Sequence, residues 1–154
     1  MDNRAVDVNA SKVLAQLLRI AAGANNAQLT GGASTRRGAL RGTGEEVWQA
    51  QGEPTEIALA VLACKGGVEP QNLPYYRVKE KPSHSTRNRM SVLVQERGGG
   101  YLLLSKGAPD VMLPLCTSCL TEQGVRPLTE ALRRQINSRI EEMAGRALRV
   151  LALA

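Results

Sequence analysis

Aromatic side chains are scarce in this chain of 154 residues, which has one Trp, three Tyr and no Phe. A core must therefore be built from Leu, Val, Ile and Ala, and no ligand ring can stack on a phenylalanine. The sequence has no run of eighteen apolar residues, as a transmembrane helix would need, and its N-terminus lacks the apolar region of a signal peptide. Three cysteines, an odd number, argue against a disulfide framework. These absences predict a reducing, cytoplasmic environment.

Basic residues outnumber acidic ones by 20 to 14, which gives a formal net charge of +6. Such a balance suits nucleic acid, an anionic membrane surface or a phosphate ligand, but also an ordinary solvated surface. The positive residues are spread along the chain and are not interleaved with aromatic residues, as they are on a stacking platform for single-stranded nucleic acid. The composition favours a solvated basic surface, and a basic nucleic-acid-binding module stays open as an alternative function.

The N-terminal third of the chain shows a helix, a loop and a short strand. Apolar residues at helical spacing predict a helix over 11–22, with Ser11 as its N-cap. Residues 30–45 are rich in Gly, Ser, Thr and Arg without periodicity, which predicts a flexible loop. Residues 46–51, which include Trp48, predict a short strand.

The remaining pattern predicts helices and antiparallel strands that do not alternate regularly. A helix is expected from Pro54 to the Gly66-Gly67 pair, because proline suits the first helical turn and glycine the end. An extended segment is predicted at 74–80, followed by a hairpin of 90–95 with 101–105 around three glycines. A helix is predicted from Pro109 to about Leu115, and a strand within 148–154. Between them, Thr129 is expected to cap a long helix with the apolar face Leu132, Ile136, Ile140 and Met143. The predicted fold class is α+β, with an antiparallel sheet flanked by helices.

Five stretches carry a resemblance to a known family. They are, in order, Asn25-Asn26-Ala27, Gly52-Glu53-Pro54-Thr55-Glu56, Arg87-Asn88-Arg89-Met90-Ser91-Val92, Lys106-Gly107-Ala108-Pro109-Asp110 and the C-terminal run from Leu148 to Ala154. In this order they resemble the nucleotide-binding domain of P-type cation-transporting ATPases, most closely the calcium-pump-like branch, and they cover nearly the whole chain. The resemblance implies that residues 1–154 form a single nucleotide-binding domain cut from a larger membrane pump.

Lys106 and Gly107 are the first candidate contacts for a nucleotide. They stand where a strand is expected to end and a helix to begin, so that the helix N-terminus favours an anion. Gly107 would let a ligand approach the backbone, and Lys106 adds a point charge suited to phosphate. The local sequence alone favours a surface lysine at an ordinary strand–helix turn, and the resemblance reverses this in favour of the binding role.

The other candidate contacts come from the resemblance. It implies that the Glu56 carboxylate accepts a hydrogen bond from the adenine amino group, with Thr55 at the pocket edge. It implies that Arg149 reaches the nucleotide phosphates and that Leu151 lines the pocket with Met90. The alternative for Met90 is an ordinary place in the core.

Two positions depart from the family pattern. Ser83 stands where the family has an aromatic that stacks on adenine, and Asn88 where it has a lysine. Ser83 and the nearby Ser85 are retained as candidate contacts. The lost ring corresponds to ~1–3 kcal/mol of stacking. Weak ATP binding, a replacement surface from Tyr75, Tyr76 or His84, and a degenerate pocket in a purely structural domain all remain open.

The resemblance implies a domain that binds ATP, as Mg-ATP in the intact pump, without hydrolysing it. The family forms an aspartyl-phosphate on an Asp-Lys-Thr-Gly-Thr motif, which this sequence lacks, so no catalytic residue is expected here. The expected partners are ATP and the phosphorylation and actuator domains of the parent chain. Nucleic acid, direct membrane contact and self-association are not expected. The spacing of Cys116 and Cys119 is typical of metal sites, but too few further ligands exist to predict one.

Overall fold

The computed structural model describes residues 7–30 and 49–154. The helices in these ranges are α1 (Lys12–Gly23), α2 (Pro54–Lys65), α3 (Pro109–Met112) and α4 (Glu130–Gly145). The strands are β1 (Gln28–Thr30), β2 (Gln49–Gln51), β3 (Tyr75–Lys81), β4 (Arg89–Glu96), β5 (Tyr101–Gly107), β6 (Ser118–Thr121), β7 (Gly124–Pro127) and β8 (Ala152–Leu153). All strand pairs are antiparallel, and the helices flank the sheets, which confirms the α+β prediction.

The main sheet has the strand order β3-β4-β5-β8. Strands β4 and β5 form the predicted hairpin, and both Gly99 and Gly100 in its turn have positive φ angles of 89° and 90°. A side chain would strain these positions, so the glycine-rich turn determines where the hairpin reverses. At the other end of the hairpin, Arg89 pairs with Gly107 and Met90 pairs with Lys106.

The hydrophobic core lies between this sheet and α1. It contains Ile20 and Ala24 next to four sheet residues, Met90, Val92, Val94 and Leu104. The alternating apolar residues of β4 place their side chains on one face of the sheet, where α1 covers them. The predicted N-cap of α1 is confirmed, since Ser11 Oγ accepts a hydrogen bond from the Leu14 N–H at 3.0 Å.

Helix α2 begins at Pro54, as predicted, and Gly66 forms its C-cap. The Glu53 side chain at its N-cap position makes no capping hydrogen bond. The first turn of α2 therefore lacks the side-chain cap that Ser or Asp usually provides. In α4 the predicted cap is confirmed, because Thr129 Oγ1 accepts from the Leu132 N–H.

Two predicted elements differ in extent, and a third lies only partly within the described residues. Helix α3 ends at Met112 and continues as a 3-10 helix over Leu113–Leu115, because Pro114 has no N–H to donate to a carbonyl four residues earlier. The C-terminal strand covers only Ala152–Leu153, since β5 ends at Gly107, which pairs with Ala152. Within the predicted 46–51 strand, the structure describes β2 alone. Trp48 and residues 31–45 of the predicted loop lie outside the described residues.

Candidate functional site

Lys106 is a buried cation on the core face of the sheet. It is the penultimate residue of β5 and only 8% exposed. Side chains alternate along a strand, so Lys106 shares its face with Leu104 and with Met90, its partner on β4. A buried lysine needs an anionic or hydrogen-bonding partner, because an unpaired buried charge is costly.

That partner is Glu56 in the first turn of α2. Lys106 Nζ donates to Glu56 Oε1 at 2.7 Å, and the two side chains are 9% and 16% exposed. The contact joins residues fifty positions apart in sequence. The structure thus brings together the two residues that the sequence singled out most clearly, and it pairs them with each other.

The surroundings of Lys106 act on its pKa in opposite directions. Burial lowers the pKa of the Lys106 ammonium, because desolvation disfavours the charged form. The hydrogen bond and negative charge of Glu56 oppose this shift, as does Glu53 more weakly, whereas Arg77 adds to it. Glu56 is therefore the main group that keeps this buried ammonium charged.

Asn25 connects α1 to the first turn of α2. Its Nδ2 donates to Glu56 O and to Ala21 O, both at 2.9 Å, and its Oδ1 accepts from the Ala27 N–H at 2.8 Å. Asn25 is 9% exposed. The sequence singled out Asn25 only as part of the Asn25-Asn26-Ala27 stretch of the resemblance, so its contact with α2 was missed.

A second polar cluster, formed by Arg77, Asn26 and Glu80, lies beside Asn25. Arg77 donates to Asn26 Oδ1 at 2.7 Å and to Asn25 O at 3.3 Å, and its guanidinium lies 3.7 Å from a Glu80 carboxylate oxygen. Asn26 in turn donates to Glu80 at 2.8 Å. These contacts tie β3 to the segment after α1 and place a positive charge near Lys106. No local sequence signal pointed to Arg77, because its role depends on the long-range pairing of β3.

The connection between β3 and β4, residues 82–88, leads into the same end of the sheet as Lys106. The candidate contacts Ser83 and Ser85 lie in it and are exposed. Asn88, where the family has a lysine, adopts a positive φ of 47°, a conformation that Asn tolerates better than most side chains. Its carbonyl accepts from the Ala108 N–H at 3.0 Å, which holds the connection against the end of β5.

Gly107 is buried, and its missing side chain is explained by packing. A Cβ placed there would lie 2.6 Å from Arg89 Cβ and 2.7 Å from Asn88 O. The close approach of β4 to β5 therefore requires glycine at this position. The sequence suggested that Gly107 admits a ligand, and that role remains a prediction beside the observed one.

The other candidate contacts are placed differently. Met90 is 2% exposed within the core cluster, which is the second of the two roles left open for it. Thr55 is half-buried in the first turn of α2, and Arg149 is exposed three residues before β8. Leu151 lines an apolar cleft of about 1280 Å³ between α1, α3 and α4, and Met90 does not line that cleft. Their contacts with a nucleotide remain predictions.

The described part of the chain has neither a metal-binding cluster nor a helix that could span a membrane. Within residues 7–30 and 49–154, no group of three or more His, Cys, Asp or Glu side chains is arranged to hold a metal ion. In the same ranges no helix combines the length and the apolar character needed to cross a bilayer.

The Tyr75 phenol is expected to lose its proton at a higher pH than an ordinary tyrosine. Its O–H donates to Arg19 O at 3.0 Å, and its ring packs against the core cluster. Burial raises the pKa of the Tyr75 phenol to about 12, although the charges of Arg19 and Arg77 oppose the shift. Because the unfolded chain loses this proton first, Tyr75 contributes stability that is complete below pH ~10 and is lost as the pH rises through about 12. We expect Tyr75→Phe to remove the tyrosinate absorbance step near pH 12. If that step persists in the variant, Tyr75 does not have the raised pKa.

Comparison with known proteins identifies the family. The family model described as P-type ATPase, cytoplasmic domain N, matches residues 13–154. A plasma-membrane-type calcium-transporting ATPase of Oryza sativa subsp. japonica is 36% identical over 110 residues, 70% of this chain and 11% of the relative. A calcium-transporting ATPase of Bacillus cereus is 38% identical over 105 residues, 67% of this chain and 12% of the relative. A sodium/potassium exporting P-type ATPase of Schizosaccharomyces pombe is 38% identical over 114 residues, 73% of this chain and 10% of the relative. This chain thus spans about a tenth of each relative's length, and it belongs to the P-type ATPase family as a cytoplasmic domain N.

Proposed function

We propose that this domain binds ATP at the Glu56–Lys106 end of the main sheet and presents it to the phosphorylation domain of an ATP-driven cation pump. The observation that carries the proposal is the ion pair between Lys106 and Glu56, at 2.7 Å. The pair supplies a cation and an acceptor-only carboxylate at one point. The 82–88 connection, exposed over 82–86, and Arg149 lie at the same end of the sheet. These groups match the donors and acceptors of a nucleotide.

The 2.7 Å contact has a consequence for the pose of ATP. Glu56 and Lys106 are too close to contact opposite ends of one nucleotide, so both act at the same end. If Glu56 accepts from the adenine amino group, then Lys106 donates to a nearby acceptor on the base. The exposed Arg149 then becomes the better candidate for the phosphates, since its planar fork suits phosphate oxygens. We therefore assign Lys106 to the base and not to the phosphates, where the sequence suggested it.

In the intact pump, the domain would deliver the γ-phosphate of ATP to the phosphorylation domain. The sequence has no Asp-Lys-Thr-Gly-Thr motif, so the acceptor aspartate would belong to a phosphorylation domain elsewhere in the parent chain, which also uses Mg²⁺. A hinged movement would bring the γ-phosphate to that aspartate. The named relatives transport calcium or sodium and potassium. We propose cation transport as the parent activity, with calcium as the first candidate.

A pair of variants tests the assignment of contacts. Lys106→Met is expected to weaken ATP and AMP binding by the same factor, about tenfold, because it removes a charged hydrogen bond to the base. Arg149→Ala is expected to weaken ATP much more than AMP, because it removes a phosphate contact. Arg146→Ala is the matched control, since Arg146 is also exposed and close in sequence. Equal losses of ATP and AMP in Arg149→Ala, measured by calorimetric titration, would contradict a phosphate role.

A gain-of-affinity variant tests the position of the base. Ser83→Phe restores a ring at an exposed position, so it is expected to tighten ATP binding about tenfold without disturbing the core. Thr86→Phe places the same ring three residues further along the exposed connection and controls for a general hydrophobic effect. The measurement is the Kd for ATP of both variants. Unchanged affinity in Ser83→Phe shows that the base does not lie against residue 83.

A further inference from the structure

Asn25 is the one side chain outside the proposed contacts that donates a hydrogen bond to Glu56 within the described residues. Both of its polar atoms are satisfied, and all of its partners are backbone groups of α1, α2 or the segment between α1 and β1. It is 9% exposed, so solvent does not easily replace these bonds. An amide that uses donor and acceptor together fixes the relative position of the elements it joins.

The Asn25 hydrogen bond to Glu56 O ties the first turn of α2 to the segment after α1. The N-cap residue of α2, Glu53, makes no side-chain capping hydrogen bond. The first turn also carries the Glu56 carboxylate that reaches Lys106. The Asn25 amide, at 2.9 Å from the backbone Glu56 O, therefore constrains the backbone from which that carboxylate projects.

We propose that Asn25 is a positioning residue that sets the Glu56 carboxylate in register with Lys106 and thereby determines the preference for adenine over guanine. This inference rests on the proposed function for its selectivity part. The carboxylate accepts from the adenine amino group, whereas guanine offers a carbonyl oxygen at that edge, which the carboxylate repels. A small displacement of Glu56 weakens the favourable contact and relieves the repulsion, because hydrogen bonds and charge pairs weaken steeply away from ideal geometry.

Asn25→Ser removes the contact of Asn25 with Glu56 O but can keep its turn contact with the Ala27 N–H. A serine hydroxyl can still accept from the N–H two residues later, as Asn25 does from Ala27, but it is too short to reach Glu56 O. Asn26→Ala is the matched control, because Asn26 contacts Arg77 and Glu80 but neither Glu56 nor Lys106. We expect Asn25→Ser to weaken ATP binding about fivefold and to lower the ratio of ATP to GTP affinity by a similar factor. Asn26→Ala is expected to leave that ratio unchanged.

A double-mutant cycle distinguishes positioning from general support of the fold. In a Glu56→Gln background, Asn25→Ser is expected to cause no further change in the ATP to GTP ratio, because the carboxylate through which it acts is gone. The same loss in both backgrounds would show a merely structural role and overturn the proposal.

A second readout does not need ATP. The coupling between Glu56→Gln and Lys106→Met is measured by urea unfolding, first with Asn25 present and then with Asn25→Ser. The proposal predicts that the coupling falls by at least half when the amide is absent, and unchanged coupling overturns it. If the wild-type domain binds no ATP while the coupling falls, the proposed function fails and the positioning role stands.

Discussion

Replacing Glu56 by alanine is expected to lower the free energy of unfolding by about 3 kcal/mol. The substitution leaves the Lys106 ammonium 8% exposed without the carboxylate that it contacts at 2.7 Å. Removing one member of a buried ion pair is costly because the other charge stays desolvated. Lys106 lies opposite Met90 on the core face of the sheet and is 8% exposed, so little water contacts its ammonium.

The double variant Glu56→Ala/Lys106→Met is the control for this prediction. A thioether side chain of similar length needs no charged partner, so the double variant is expected to recover most of the loss.

The pH dependence of the stability of Glu56→Ala provides a second check. Burial lowers the pKa of Lys106, and without Glu56 it falls further, so the unfolded chain binds more protons than the folded one at alkaline pH. The deficit of Glu56→Ala should therefore shrink as the pH rises above neutral. A deficit below 1 kcal/mol in urea unfolding would mean that the pair is not buried as described.

Gly107→Ala is expected to lower the free energy of unfolding by about 3 kcal/mol. The new Cβ would lie 2.6 Å from Arg89 Cβ, 2.7 Å from Asn88 O and 2.9 Å from Arg89 Cα. Two of these atoms belong to the backbone, which cannot rotate away, so β4 and β5 must separate at this end. The separation would also disturb the adjacent pairing of Met90 with Lys106.

Gly98→Ala is the matched control for Gly107→Ala. A Cβ at Gly98 meets nothing within 4 Å, and Gly98 is not among the glycines with a positive φ. Its effect on the free energy of unfolding is expected to stay within ~0.5 kcal/mol. Similar stability of the two variants would show that the backbone contact at Gly107 is not tight.

Much of the fold could be predicted because its signals are local. Ser11 and Thr129 are good N-caps, Pro54 suits a first turn, and three glycines mark the hairpin. Each of these residues acts on neighbours within a few positions, so sequence alone contains the information. The split of the helix after Pro109 could have been read from Pro114, which removes a donor in the last turn.

The arrangement of the site could be predicted only in part, because it depends on long-range pairing. Glu56 and Lys106 were identified from their motifs, but their contact joins residues fifty positions apart, which no local pattern indicates. Asn25 and Arg77 were missed as site residues because nothing near them in sequence indicates which carbonyls they face. The sequence singled out Gly107 as a ligand contact, whereas its tight packing against Arg89 depends on the register of β4 and β5.

Titration of the nitrogen-15-labelled domain with ATP, followed by proton–nitrogen NMR, tests the central claim most directly. We expect shifts that saturate with ATP and cluster at the Glu56–Lys106 end of the sheet, including Ser83 and Arg149. Residues of β6 and β7 should stay unchanged. No shift at millimolar ATP, or shifts spread over the basic surface that an oligonucleotide reproduces, would contradict it.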